Sequence, residues 1–248
     1  MNRIVIDKTI KEVNVSKGIT FVNNVLSINE DSTIDINISN ISDTFTIKAD
    51  NCKAIINILG DSTSNKIEYI LLNSELLVQK LVANNSDSIS IKLNSEHSRI
   101  TYRYSNINNS TNEMKMDVYH NAPNTNSLVI NHGLNIGHEP LLFDINGYVP
   151  KNSINCCCNQ DNKIINLKQT KSLIRPNLII DNNEIEANHS AYIGSFKEQE
   201  VFYLMSRGIS KKESFNLLTK AYLIGEFKLE KDEEYLDKIK SIGGESYE

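Results

Sequence analysis

Three adjacent thiols, Cys156-Cys157-Cys158, and the segment Glu186-Ala-Asn-His-Ser-Ala-Tyr-Ile-Gly194 hold the residue types in this sequence best suited to metal chemistry. Thiolates are natural ligands for iron and zinc, and imidazole nitrogen and carboxylate oxygen also serve. On a strand, neighbouring side chains point to opposite faces, so Cys156 and Cys158 can share a site while Cys157 turns away. A closed zinc or cluster site takes about four ligands, commonly as separated pairs, so this run lacks partners of its own. Without them the three are small strand residues. His189, beside Glu186, offers nitrogen and oxygen to a metal; its alternative role is that of a hydrogen-bonded structural residue. Cys156, Cys158, Glu186 and His189 are therefore the candidate metal contacts. His120 opens His-Asn-Ala-Pro-Asn-Thr-Asn-Ser127 and reads as a turn residue capped by its Asn and Thr neighbours, while His97, His132 and His138 read as surface or loop residues. No Gly-x-x-x-x-Gly-Lys-Ser/Thr loop or Gly-x-Gly-x-x-Gly is present to cradle a nucleotide phosphate, and Gly-x-Ser-x-Gly and His-Glu-x-x-His are missing. A non-catalytic chain that binds no nucleotide itself is expected.

The 248 residues are 40% hydrophobic and 23% charged, which excludes a disordered or collagen-like chain. A net charge of -5 argues against a general nucleic-acid binder. The longest apolar run, Ile67–Val78, is broken by Glu68, Asn73 and Glu75, short of the ~20 residues that a spanning helix needs. The opening Met1–Ile10 carries Arg3, Asp7 and Lys8 and reads as no export signal. Four cysteines, one alone and three contiguous, are not a disulfide framework. The expectation is a soluble protein of a reducing cytoplasm.

The elements that must position these residues change character at Gly194. From about Thr20 to Val149, apolar residues recur at every second position, as in Ile34, Ile36, Ile38 and in Met114, Met116, Val118. Turn-forming clusters such as Asn84–Ser88 separate the segments, which follow at roughly ten to twelve residues. That rhythm suits a sandwich, a barrel or a β-solenoid. Abundant Asn favours the solenoid, whose corners need left-handed backbone geometry. Beyond Gly194, Ser195-Phe-Lys-Glu198 has the form of a capping box, followed by Val201, Phe202, Leu204 and Met205 at helical spacing and a stop at Gly208. Ser210-Lys-Lys-Glu213 repeats the start signal ahead of a stripe of Phe215, Leu217, Leu218, Ala221 and Tyr222. A third helix is expected over Leu229–Ile242, with Tyr235, Leu236 and Ile239 inward and Gly243-Gly244 ending it. The division is thus a β-body over residues 1–194 and a helical region over 195–248. Phe202-Tyr-Leu-Met-Ser-Arg-Gly208 is dense in the residue types enriched at partner surfaces.

Glu200-Val-Phe-Tyr-Leu-Met-Ser-Arg-Gly-Ile-Ser210, the His189 segment, His120-x-x-Pro-Asn-Thr-x-Ser127 and the strand Pro176-Asn-Leu-Ile-Ile180 together resemble the SufB/SufD family of iron–sulfur cluster assembly scaffolds. The resemblance covers roughly Tyr119 to Phe227. It implies a mainly β chain with a right-handed parallel β-helix core and a C-terminal helical region. It also implies a SufC-like ABC-type ATPase bound through the helices, a second SufB/SufD-like subunit, and a transient iron–sulfur cluster where the subunits meet. Val201, Phe202, Tyr203, Leu204, Met205, Arg207, Phe215 and Leu218 become the candidate docking residues, and His189 a candidate cluster contact. SufB-type members carry a Glu after the signature His and a Cys upstream; here Ser190 and Thr170 stand in those places, which points to the SufD side or a short family member. A carbohydrate-active or purely structural solenoid is the competing reading, opposed by the missing rows of Asp or Glu on successive strands.

Overall fold

The computed structural model describes residues 2–7, 9–39, 43–60, 64–229 and 232–243. Its first strands are β1 (Asn2–Asp7), β2 (Thr9–Asn14), β3 (Ile19–Val22), β4 (Val25–Ile28), β5 (Ser32–Ser39), β6 (Phe45–Asp50), β7 (Lys53–Gly60), β8 (Ser64–Leu72) and β9 (Glu75–Ala83). They continue as β10 (Ser86–Leu93), β11 (Arg99–Asn108), β12 (Asn112–His120), β13 (Asn126–Asn135), β14 (Leu141–Val149), β15 (Cys156–Asn166), β16 (Leu173–Ile180) and β17 (Ile185–Gly194).

From β4 onward, consecutive strands alternate between two sheets, and each pairs in parallel with the strand two places on. The orders are β17-β15-β13-β11-β9-β7-β5-β1-β2 and β16-β14-β12-β10-β8-β6-β4-β3. The chain is therefore a parallel β-solenoid of two strands per coil, and the ten-to-twelve-residue rhythm is half a coil. Among the described strands, only β2 and β3, at one end, run antiparallel to their neighbours.

The coil turns where the sequence supplies residues that tolerate a left-handed backbone. Asn51, Asn73, His97, Asn124 and Asn155, with φ between 45° and 64°, stand just before β7, β9, β11, β13 and β15. These corners stack: Asn73 Nδ2 donates to Asn51 Oδ1 at 2.7 Å, and the Glu75 N–H reaches the Cys52 carbonyl at 3.0 Å. Alternating inward residues then form a continuous core, with Ile34, Ile36, Ile47, Ile91, Met114 and Met116 fully excluded from solvent. Burying each such side chain stabilises the fold by about 1.5–3 kcal/mol.

The C-terminal segment forms α1 (Glu198–Ser206), α2 (Lys211–Ile224) and α3 (Glu233–Gly243). Ser210 caps α2 as expected, accepting from the Glu213 N–H at 3.2 Å. Gly208, at φ 86°, ends α1 with its N–H on the Met205 carbonyl. The capping box at Ser195 does not form: the chain stays extended through Lys197, which is the N-cap, so Glu198 is the first helical residue rather than the third. Phe196 instead anchors that stretch by packing against Phe215 and Tyr222. The stripe on α2 is also rotated from the expected one. Leu217 and Ala221 are exposed, and Ser214, Thr219, Leu223 and Ile224 are buried. The third helix begins at Glu233, with Tyr235 and Ile239 buried as expected; Gly244 lies outside the described residues. Leu223, Ile224, Tyr235 and Ile239 join Leu81, Ile107, Leu134 and Ile165 in a second apolar core on the outer face of the nine-stranded sheet.

One ion pair lies inside the solenoid. Lys80 Nζ sits 2.7 Å from Asp87 Oδ2, both side chains are wholly buried, and Asn85 Nδ2 donates to the other carboxylate oxygen at 2.7 Å. Burial pushes the Lys80 ammonium below its ordinary pKa, and the Asp87 carboxylate opposes that. Removing one partner strands a charge in the core. Lys80→Ala is expected to cost about 3–5 kcal/mol in urea unfolding, whereas the paired substitution K80M/D87L recovers most of that loss.

Candidate functional site

The last coil fixes where the candidate metal contacts stand. In the pairing of β15 with β17, Cys156 faces Ile185, Cys157 faces Glu186, Cys158 faces Ala187 and Gln160 faces His189. Cys156, Cys158, Gln160, Asn162 and Ile164 are the buried, inward residues of β15. The corresponding positions of β17 include His189, Ala191 and Ile193, and all three are exposed because no further coil among the described residues stacks on them. Leu173 and Ile179 of β16 and Tyr192 and Ile193 of β17 are large apolar side chains left in solvent at the same end.

Alternation separates Glu186 from His189. Glu186 stands over Cys157 on the outward face, and His189 stands over Gln160 on the inward one. Among the described residues, no group of three or more His, Cys, Asp or Glu side chains is gathered to hold a metal. The chain offers one imidazole at an open end, not a closed ligand set.

Cys156 and Cys158 share the inward face, one coil below that end, and are buried beside Val149. Cys156 Sγ lies 3.2 Å from Thr125 Oγ1. Burial pushes the Cys158 thiol up to about 11, partly offset by a hydrogen bond with Ser127. Burial and the Glu186 carboxylate also raise the Cys157 thiol. Near neutral pH, Cys157 and Cys158 are therefore thiols and not the thiolates that bind metal readily.

His120 is a core residue at the end of β12, not a surface turn. Thr125 is one of its partners as the sequence suggests, but the other is Ser127, from the next strand. The Thr125 hydroxyl donates to the Ala122 carbonyl at 3.0 Å, so its oxygen accepts the His120 Nδ1–H at 2.8 Å. That leaves Nε2 to accept from the Ser127 hydroxyl at 2.9 Å. Burial lowers the imidazole pKa to about 4. His132 is likewise no loop residue. Its ring stacks on Tyr222 at 4.5 Å, and its Nδ1–H donates to the Tyr222 carbonyl at 2.7 Å, tying α2 to β13.

The candidate docking residues occupy a solvent-facing surface on the other side of that tie. No residue of α1 is buried; Phe202 is 73% exposed, Tyr203 58% and Met205 44%. Val201 and Leu204 are half-buried, and the Arg207 guanidinium lies over the Tyr203 ring at 5.3 Å. Phe196, Val201, Phe202, Met205 and Phe215 line an open groove of about 640 Å³ between α1 and α2, with Glu198 and Lys211 at its rim. Leu218 is half-buried on the same helix as Phe215. Four of the eight candidate docking residues, Val201, Phe202, Met205 and Phe215, thus line one groove, while the metal candidates are split between the buried interior, the outer face and the open end.

A family model described as "SUF system FeS cluster assembly, SufBD core domain" matches residues 73–222, which span the last coils, the open end and α2. The chain belongs to the SufBD family. Among curated relatives, a SufBD family protein of Pyrococcus horikoshii is 44% identical over 48 residues, covering 19% of this chain and 11% of the relative. The SufD protein of Bacillus subtilis is 24% identical over 114 residues, covering 46% and 26%. A SufBD family protein of Staphylococcus aureus is 30% identical over 110 residues, covering 42% and 23%. Each alignment thus spans about a quarter or less of the relative's own length. No helix among the described residues is long and apolar enough to cross a membrane.

Register explains what the sequence left hidden at this site. Ser190 bonds to Asp161, one coil below, and Thr170 lies in the turn between β15 and β16. Gln160, directly beneath His189, carries no motif signal; its place is visible only once the coil length is known.

His120 gives a pH dependence with a definite sign. An unfolded imidazole protonates near its ordinary pKa of about 6.5, and the folded one resists until about pH 4, so the unfolded state gains protons first. Stability is full above about pH 6.5 and falls as pH drops toward 4, by at most roughly 3 kcal/mol from this group. His120→Gln is expected to flatten that part of the profile in urea titrations; parallel wild-type and mutant profiles would contradict it.

Proposed function

We propose that this chain is a non-catalytic scaffold subunit of cytoplasmic iron–sulfur cluster assembly that works through two surfaces. The groove between α1 and α2 docks a SufC-like ABC-type ATPase. The open last coil receives a second SufB/SufD-like subunit, and the nascent cluster, as cargo, forms transiently where the two meet. The observation that carries this reading is the unfinished end itself. β16 and β17 are the edge strands of the two sheets, and His189 occupies an inward position on which no described coil stacks. Open strand edges of this kind are templates for pairing.

His189 supplies one imidazole to the cargo, and the remaining ligands come from the partner, in keeping with Ser190 and Thr170 standing where SufB-type members carry further ligands. Motion at the ATPase groove has a short route to that end. Only residues 195–197 separate β17 from α1, and Phe196 among them packs on α2. The opposite side of α2 is fixed to the nine-stranded sheet by Ser105, which donates to the Leu223 carbonyl at 2.6 Å, and by Tyr222, whose hydroxyl donates to the Lys163 carbonyl at 2.7 Å. Displacing the helices therefore shifts the sheet that carries His189.

Two substitutions separate the surfaces. Phe202→Glu, at an exposed position, is expected to change unfolding free energy by no more than about 0.5 kcal/mol while abolishing co-elution with the co-expressed ATPase; retained co-elution would remove the groove from the account. His189→Ala should leave both the fold and the ATPase complex intact and lower cluster maturation in cells. Unchanged maturation would make His189 a structural residue.

A further inference from the structure

We infer that Gln160 is a positioning residue for His189, accepting one imidazole N–H so that the other ring nitrogen presents its lone pair at the open end. This rests on the reading of His189 as a cluster contact. Gln160 is 4% exposed, and its amide orientation is fixed: Nε2 donates to the Asn177 carbonyl of β16 at 3.1 Å, so Oε1 is the remaining atom. That oxygen is buried and has no hydrogen-bond partner. A buried amide oxygen without a donor is unfavourable by about 1–3 kcal/mol, so a partner is expected.

Of the two residues in register with Gln160, His189 can donate to that oxygen and Val129 cannot. In register below Gln160 stands Val129, and below that Tyr102, whose hydroxyl is already close to Tyr69. Across the solenoid, Gly147 approaches the Gln160 amide nitrogen and carries no side chain. Above stands His189. Elsewhere in this molecule, polar residues in register on adjacent coils do bond to each other: Asn57 with Gln79 at 2.8 Å, Asn131 with Asn162 at 2.7 Å, and Asn159 with Asn188 at 3.2 Å. Gln160 and His189 have the same register, and the Gln160 oxygen is an acceptor awaiting a donor. An imidazole N–H held by an amide oxygen is fixed in one tautomer and one ring orientation, which is how outer partners prepare a histidine for a metal.

The test reads the tautomer directly, from the ring-nitrogen NMR shifts of His189 in the intact chain at a pH where the imidazole is neutral. The wild type is expected to show one ring nitrogen protonated and the other bare. In Gln160→Leu the two shifts should converge as the tautomers interconvert, and Gln160→Glu, which keeps an acceptor, should restore the wild-type pattern. Gln160→Met provides a second apolar variant should the leucine protein fail to fold. Identical ring shifts in wild type and the apolar variants would overturn the inference. Cellular maturation keeps the two ideas apart. A fixed tautomer in the wild type, with His189→Ala fully active in maturation, sinks the cluster reading and leaves Gln160's effect on the ring standing. Loss of maturation in His189→Ala but not in Gln160→Leu removes Gln160 instead.

Discussion

Parallel stacking of one coil on the next is the interaction on which the rest of the molecule depends. Each interior strand satisfies its backbone groups through the coils on both sides, so a solenoid can grow indefinitely and must be stopped at each end. The two ends differ. At one, β2 and β3 run antiparallel to their neighbours and are six and four residues long, a short and weakly templating edge. At the other, β16 and β17 keep the parallel register, run for eight and ten residues, and hold Leu173, Ile179, Tyr192 and Ile193 in solvent. Such an edge is a liability for an isolated chain and an asset for one that assembles.

The helices add a second constraint. They do not cover the open edge. They lie on the outer face of the nine-stranded sheet, with Leu223, Ile224, Tyr235 and Ile239 packed on strand residues from four coils. Burying that side leaves the aromatic residues of α1 facing away, so the groove and the open end are separate surfaces on one stiff body. The interior explains the stiffness. Tyr69, Tyr102, Tyr104 and Phe143 pack edge to face, and Lys80 and Asp87 bridge the two sheets.

Much of the fold was legible in the sequence. Period-two patterning located the inward residues of β5, β6, β10 and β12, and abundant Asn marked the corners, because only Asn, Asp, His and Gly enter the left-handed region cheaply. Helix existence and the Ser210 cap were legible for the same local reasons. The candidate site was less so. In-register partners sit 22 residues apart at Asn57 and Gln79, 27 at Asn108 and Asn135, 31 at Asn131 and Asn162, and 29 at Asn159 and Asn188. With the period drifting, no fixed offset pairs Gln160 with His189. Local alternation could place Cys156 and Cys158 on one face, but whether that face was core or surface depended on coils that the local pattern does not specify. The burial of α2 was misread for a related reason: small Ser214 and Thr219 are buried and Leu217 is not, and Leu223 and Ile224 meet the sheet.

The claim that the last coil is an assembly surface is tested most directly by hydrogen–deuterium exchange of the β16 and β17 amides. The isolated chain should exchange them quickly compared with β11 and β13. Assembly with the ATPase and a second family subunit should protect them, with the protection lost when the complex is diluted apart. Slow exchange already present in the isolated monomer, or no gain of protection in the assembled complex, would contradict the account.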